Sequence, residues 1–325
     1  MTQIALDKAC DLCHNIFTIL LTQQQSCSLL QVCILGEKLM GAIDFSNYST
    51  NTIYYGGSEK KIGITVGDNR YMLKFRKKTA FGTRNNHISE YIGSRIFGLL
   101  GFDVQETYLG TYNGEEVVAC RDFNVAGKQF VPFNDVGEST LEHDKERYQY
   151  SYEDIMKMLR DNSKLTNVED TIAMFWRIYI VDAFLGNFDR HGANWGFMKE
   201  NNTYTLAPIF DNGSCLFPNM TDMDDMMTVI NSREETDKRV YSFPTSQIQL
   251  NGKKSSYYDV INSLSYDECN KALEYVHNRI DMNQIRNLVD NTPLINDVQR
   301  QFYKHMLDAR YNAIIDASFR KLQVR

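Results

Sequence analysis

The sequence predicts an α+β protein of two lobes, a small β-rich N-lobe followed by a larger and mainly helical C-lobe. A chain of 325 residues is long enough for one large domain or for two lobes around a cleft. Short β-prone runs lie between residues 51 and 121, whereas helical spacing of apolar residues prevails over residues 122–325. We therefore expect an accessory segment at 1–50 that braces the N-lobe, an N-lobe at 51–121 and a C-lobe at 122–325.

The first half of the predicted N-lobe is a hairpin followed by a helix. Residues 62–66 and 71–75 are β-prone runs joined by a Gly-Asp-Asn turn. Apolar residues then recur at helical spacing over residues 87–100, with Asn86 as the expected N-cap and Gly101 as the stop signal. The apolar face of this helix is expected to pack on the sheet.

A second hairpin completes the predicted N-lobe. Residues 105–112 and 115–119 alternate in hydrophobicity around Asn113-Gly114, which is the strongest short-range hairpin signal. The resulting order β-β-α-β-β predicts a small mixed lobe.

The predicted C-lobe is mainly helical, and its one clear β feature is a hairpin. That hairpin pairs residues 195–198 with residues 204–206 through a turn at Asn201-Asn202. The helices are expected at residues 152–159, 168–185, 266–280 and 297–322.

Composition excludes several classes of protein. The net charge of -6 argues against a nucleic-acid-coating protein, and no apolar run approaches the ~20 residues that span a bilayer. The N-terminus lacks the basic start and cleavage site of a signal peptide, so the sequence predicts a cytoplasmic protein. The seven cysteines are scattered, and Cys10-x-x-Cys13 beside His14 has no second paired set at zinc-finger distance, so reduced thiols are expected. The sequence does not indicate whether the protein is a monomer or an oligomer.

Polar side chains crowd the loop that follows the 168–185 helix. Asp189, His191 and Asn194 lie in this loop, and Asp211 follows the second strand of the hairpin. An Asp, an Asn five residues later and a second Asp beyond a hairpin are the groups that phosphoryl transfer needs. Asn194 and Asp211 offer the oxygen ligands that Mg²⁺ prefers, and Asp189 would orient the acceptor hydroxyl and take its proton. His191 is expected to brace the loop or approach the phosphates.

The N-lobe offers the complementary groups for ATP. Lys74 stands among apolar residues in its strand, where an unpaired ammonium would be costly, so Glu90 in the first turn of the helix is its expected partner. That pair would direct Lys74 at the α- and β-phosphates. Glycine backbone amides before the first strand are expected to hold phosphates, and the adenine is expected against the backbone that joins the lobes. The residues predicted for these two nucleotide contacts are Gly56, Gly57, Ser58, Lys60 and Lys61 for the phosphates and Ala119, Cys120 and Arg121 for the adenine.

These motifs resemble those of the HipA-like serine/threonine protein kinases of bacteria, over roughly residues 52–217. The resemblance rests on Gly-Gly-Ser-Glu-Lys-Lys at 56–61, Lys74, Glu90, Asp189-x-His191-x-x-Asn194, and Asp211 where an Asp-Phe-Gly motif usually starts. It implies a bilobal protein-kinase-like fold, a protein Ser/Thr acceptor, Lys74 on ATP, Asp189 as catalytic base, and Asn194 with Asp211 on magnesium. It also implies autophosphorylation near the Gly-rich loop, where Ser58 is the available hydroxyl, and release from the bacterium to act in host cells. DNA binding by larger family members is not expected of this shorter, acidic chain.

Two alternatives remain at this stage. Asp-x-His-x-x-Asn loops also serve phosphoinositide and aminoglycoside kinases, so the acceptor is open. A pseudokinase that binds nucleotide without turnover is a further alternative, against which the intact Lys74, Asp189, Asn194 and Asp211 argue.

Overall fold

The computed structural model describes residues 42–56, 59–80, 82–124, 127–140, 151–162, 165, 167–250 and 252–325. Within these residues the N-lobe is built on a six-stranded sheet of order β1-β7-β8-β4-β3-β2. A two-stranded hairpin, β5 with β6, lies between β4 and the first helix. The strands of the N-lobe are β1 Ile43–Asp44, β2 Ser49–Asn51, β3 Lys61–Val66, β4 Asn69–Phe75, β5 Lys78–Thr79, β6 Gly82–Thr83, β7 Thr107–Tyr112 and β8 Glu115–Arg121.

Both predicted hairpins are confirmed. Strands β3 and β4 pair antiparallel with Lys61 opposite Lys74, and β7 pairs with β8 around the predicted Asn-Gly turn. Residues before position 51 also join this sheet, because β1 pairs with β7 at one edge and β2 with β3 at the other. The sheet therefore begins upstream of the predicted N-lobe boundary.

The helix α1, Asn86–Leu99, packs on β7 and β8 through buried Ile88, Ile92 and Ile96. Its predicted cap was wrong, because Asn86 is its first residue and the N-cap position belongs to Asn85, without a side-chain capping bond. The Asn86 side chain instead accepts a hydrogen bond from the Lys77 amide at 2.9 Å and donates one to the Phe75 carbonyl at 3.1 Å. It thus ties the helix start to the end of β4.

The C-lobe is mainly helical, as predicted. Its strands are β9 Lys128–Pro132, β10 Gly196–Glu200, β11 Thr203–Leu206, β12 Thr245–Leu250 and β13 Lys253–Ser256. Its helices are α2 Phe133–Thr140, α3 Tyr152–Asp161, α4 Val168–Leu185, α5 Met223–Asn231, α6 Arg233–Asp237, α7 Tyr257–Ser263, α8 Asp267–His277, α9 Met282–Asp290, α10 Asp297–Arg310 and α11 Ala317–Gln323, with π-helical turns at Lys238–Ser242 and Tyr311–Asp316.

The buried helix α4 is the centre of the C-lobe and has the predicted bounds. The hairpin β10–β11 is confirmed, and β9 adds a third strand that the sequence did not reveal. The predicted helix at 297–322 is interrupted, because the π-helical turn Tyr311–Asp316 separates α10 from α11.

Two other predictions concern the cysteine pair near the N-terminus and membrane-spanning segments. Cys10, Cys13 and His14 lie outside the described residues, as does the whole of segment 1–41. Among the helices of the described part, none combines the length and apolar character needed to cross a membrane.

Candidate active site

A cavity of about 650 Å³ lies between the two lobes, and half of the predicted site residues line it. The N-lobe contributes strand and loop residues, and the C-lobe contributes the loop after α4 and the segment after β11. The predicted residues that line this cavity are Gly56, Lys61, Lys74, Asp189, His191, Asn194 and Asp211.

Lys74 joins the two lobes at the floor of the cavity. Its Nζ lies 2.9 Å from Glu90 Oε2 and 3.0 Å from Asp211 Oδ1, and its side chain is only 5% exposed. Burial alone would lower the pKa of Lys74, but Asp211 and Glu90 outweigh it and hold that pKa well above its usual value. The predicted Lys74–Glu90 pair is therefore present, although α1 begins one residue earlier than predicted and Glu90 lies just beyond its first turn.

Asp211 is held in place by its own backbone and by its neighbour. Its φ of +57° is left-handed, and the Asn212 amide that follows donates to Glu90 Oε1 at 2.9 Å. The Asn212 side chain donates to Ser94 Oγ on α1 at 3.0 Å. Burial would raise the pKa of Asp211, yet attraction by Lys74 outweighs it and the pKa lies below its ordinary value. Asp211 is thus ionised and aimed at the cavity.

The loop after α4 is ordered by hydrogen bonds among its own residues. Gly186, at φ +66°, ends the helix in the left-handed conformation. Asn187 Oδ1 accepts from the Asp189 amide at 3.0 Å, and Asn194 Nδ2 donates to the Asp189 carbonyl at 2.7 Å. His191 Nδ1 accepts from the Ala193 amide at 3.2 Å, and its Nε2 lies 3.9 Å from Asp189 Oδ1. These bonds present Asp189 and Asn194 on one side of the loop.

Arg190 anchors this loop to the core, a role that the sequence did not signal. Its guanidinium forms a bidentate ion pair with buried Asp182 of α4, at 2.9 Å and 3.0 Å. It also donates to the carbonyls of Asn194 and Phe210 and, at 2.6 Å, to Asn212 Oδ1. One buried cation therefore sets the loop of Asp189 against the segment of Asp211.

Asp189 stands at the mouth of the site, with 42% of its side chain exposed. Partial burial raises the pKa of Asp189, His191 opposes that shift, and Asp211 adds to it. A carboxylate whose pKa is raised accepts a proton more readily near neutral pH.

The Gly-rich segment is placed only in part. Gly56 lines the cavity, and its carbonyl accepts a hydrogen bond from Lys61 Nζ. Gly57 and Ser58 lie outside the described residues. Lys60 does not line the cavity, because its Nζ pairs with Glu115 at 2.7 Å and lies 3.9 Å over the Phe75 ring. The structure thus brings Lys61, but not Lys60, to the predicted phosphate site.

The predicted adenine residues do not line the cavity. Ala119 and Cys120 are fully buried in β8, and Arg121 lies on the surface paired with Glu106 at 3.1 Å. The lining begins with the next residues along the chain, Asp122, Phe123 and Asn124.

An aromatic cluster forms that end of the cavity. Phe123, Phe130 and Phe210 all line it, with ring centroids 5.0–5.7 Å apart. The signal in the sequence would have been a phenylalanine at the lobe junction, one in β9 and one directly before Asp211, but β9 was not foreseen.

The donor groups present suit magnesium. Asp211 supplies a carboxylate that is 37% exposed, and Asn194, whose Nδ2 is used within the loop, keeps its amide oxygen for the cavity. In the described part of the chain, His, Cys, Asp and Glu side chains form no cluster of three that would enclose a metal. Mg²⁺ usually takes only one or two protein ligands and completes its octahedron with phosphates and waters, so this donor set fits.

Comparisons with known proteins find relatives of this chain at the levels of family, sequence and structure. The family model described as the HipA-like C-terminal domain matches residues 53–291. The serine/threonine-protein kinase CtkA of Helicobacter pylori is 35% identical over 288 residues, which cover 86% of this chain and 88% of that protein. The crystal structure of the H. pylori proinflammatory kinase CtkA superposes with a TM-score of 0.81 over 86% of this chain and 98% of that one.

A more distant structure shares the fold. HipA of Shewanella oneidensis, solved in a complex with HipB and operator DNA, is 15% identical and matches with a TM-score of 0.53 over 82% of this chain and 67% of its own. The bilobal kinase-like α+β fold and the family resemblance predicted from the motifs are confirmed, and the chain belongs to the HipA-like family.

Proposed function

We propose that this chain is an ATP- and magnesium-dependent protein kinase that transfers the γ-phosphoryl group to serine or threonine hydroxyls. The observation that carries the proposal is that Lys74, Asp189, Asn194 and Asp211 line one cavity, with Lys74 bonded to both Glu90 and Asp211. The name of the H. pylori relative and the family match support kinase chemistry in general.

Each residue has a distinct part in the proposed mechanism. Lys74, oriented by Glu90, binds the α- and β-phosphates, and Lys61 lies on the same wall. Asp189 orients the acceptor hydroxyl and takes its proton as the oxygen attacks. Asn194 and Asp211 would hold Mg²⁺, which, when bound, neutralises the phosphate charge. The adenine would lie against Phe123, Phe130 and Phe210 rather than against buried Ala119 and Cys120.

Lys74→Met is expected to lower kcat/KM for ATP by about two orders of magnitude, because the α- and β-phosphates lose their buried cation. Lys60→Met is the matched control, since Lys60 precedes the strand paired with that of Lys74 but points out of the cavity. We expect it to change kcat/KM by less than about twofold, as surface ion pairs contribute little. Steady-state kinetics with varied ATP measures both. Equal effects of the two substitutions would contradict the assignment of Lys74.

The acceptor class is tested by offering wild-type protein a generic basic protein, phosphoinositide vesicles and an aminoglycoside, each with γ-labelled ATP. Transfer to protein serine or threonine, located by mass spectrometry, is the expected result. Label only on the lipid or the sugar would identify a different acceptor. ATP binding without transfer to any acceptor would identify a pseudokinase.

Autophosphorylation at the Gly-rich segment stays a prediction. Ser58 lies outside the described residues, but Gly56, two positions before it in the sequence, and Glu59, directly after it, line the cavity. Incubation with ATP followed by phosphopeptide mapping is expected to find phosphate between residues 52 and 65. Its absence there would remove this part of the proposal.

A further inference from the structure

The hairpin β5–β6 brings Arg84 into the cavity from the N-lobe. Arg84 directly follows β6, and its backbone is tied down on both sides: its amide donates to the Lys77 carbonyl at 2.9 Å, and its carbonyl accepts from Arg76 Nε at 3.2 Å. The guanidinium lies over the Phe188 ring, 5.6 Å from its centroid. Phe188 immediately precedes Asp189, so Arg84 is positioned against the loop after α4 that carries Asp189.

The Arg84 side chain is short of partners. Among the residues that the structure describes, its guanidinium makes no hydrogen bond and no ion pair, and its buried Nε has no acceptor. By contrast, Arg76 pairs with Glu116 and Arg190 with Asp182. A half-buried guanidinium without an anion is costly, so its position implies a ligand that supplies one.

The charges around Arg84 indicate where that anion belongs. The guanidinium lies near enough to attract the carboxylates of Asp189 and Glu59 without contacting either, and Lys77 also faces Asp189. Lys74 is already engaged by Glu90 and Asp211 deeper in the cavity. The group that must come next to Asp189 in the proposed reaction is the γ-phosphoryl group, and a guanidinium fork can bind two of its oxygens at once.

We propose that Arg84 is a catalytic residue that binds the γ-phosphoryl oxygens of ATP and stabilises their charge during transfer. This inference rests on the proposed kinase function. The acceptor oxygen bonds to the γ-phosphorus, the bond from that phosphorus to the β–γ bridging oxygen breaks with its electron pair leaving on ADP, and the hydroxyl proton goes to Asp189. Arg84 exchanges no proton. It offsets negative charge on the transferred group, as an arginine supplied within the same chain.

The test compares Arg84→Met, which keeps an apolar stem on Phe188, with Arg84→Lys, which keeps the charge but not the fork. Lys78→Met is the matched control, because Lys78 lies exposed on the same hairpin and outside the cavity. Affinities for ADP and for β,γ-imido ATP are measured by calorimetry with magnesium on each full-length protein, together with kcat and thermal midpoints.

We expect Arg84→Met to lower kcat by about 100-fold and to lower the affinity for β,γ-imido ATP by about tenfold. The affinity for ADP should be unchanged, because ADP lacks the γ-phosphoryl group. Arg84→Lys should recover part of the loss, and Lys78→Met should match wild type. Equal losses for ADP and the ATP analogue, or no loss for either, would overturn the assignment of Arg84 while leaving the kinase proposal standing. Failure of the wild-type protein to bind ATP would instead defeat the kinase proposal and this inference with it.

Discussion

Asp189→Asn is expected to lower kcat by about three orders of magnitude while nucleotide affinity changes little. Asparagine keeps the shape of the side chain and the backbone bonds to Asn187 and Asn194, but it cannot take the proton of the acceptor hydroxyl. Because the Asp189 side chain does not contact Lys74, the groups that hold the phosphates should be undisturbed.

Single-turnover transfer and calorimetric titration with Mg-ATP separate these two effects. Asp68→Asn, the same chemical change in the exposed β3–β4 turn, is the control and should leave both values as in wild type. If Asp189→Asn transferred phosphate at the wild-type rate, Asp189 would not be the base.

Arg190→Met is expected to destabilise the fold by about 3–5 kcal/mol, because it leaves the carboxylate of Asp182 buried without a cation. Both side chains are almost fully enclosed, at 5% and 1% exposure. The same substitution frees the carbonyls of Asn194 and Phe210 and the amide oxygen of Asn212, so the loops of Asp189 and Asp211 lose their shared anchor.

Thermal and urea denaturation of Arg190→Met, Asp182→Asn and the double variant measure this coupling. The double variant should be less destabilised than the sum of the two single changes, since it leaves no unpaired buried charge. Strict additivity would contradict the role given to this ion pair.

The part of the site that follows from local order in the chain was predictable. A lysine in an apolar strand followed by a helix with a glutamate gave the Lys74–Glu90 pair, now at 2.9 Å. The spacing of Asp189, Asn194 and Asp211 around a hairpin placed all three at one cavity.

The contacts that depend on long-range packing were not predictable. Arg190 meets its partners from α4 and from the segment after β11, and nothing near it in sequence marks it as buried. The predicted adenine contacts ended at Arg121, whereas the cavity is lined by Phe123, beyond β8, and by Phe130 of β9, a strand whose pairing with β10 no local pattern revealed. Arg84 went unnoticed because the short strands of its hairpin carry no periodicity.

The same limit explains the misplaced cap of α1. Asn86 has the residue type of an N-cap, but its side-chain amide forms hydrogen bonds with the backbone of Phe75 and Lys77 instead. Tertiary hydrogen bonds at the end of β4 thus override a local preference.

The most direct measurement is a crystal structure of the protein with magnesium and β,γ-imido ATP. We expect a metal about 2.1 Å from oxygens of Asn194 and Asp211, with Lys74 on the α- and β-phosphates and the γ-phosphoryl group facing Asp189. A triphosphate bound with these four side chains turned away from it would contradict the proposed kinase mechanism.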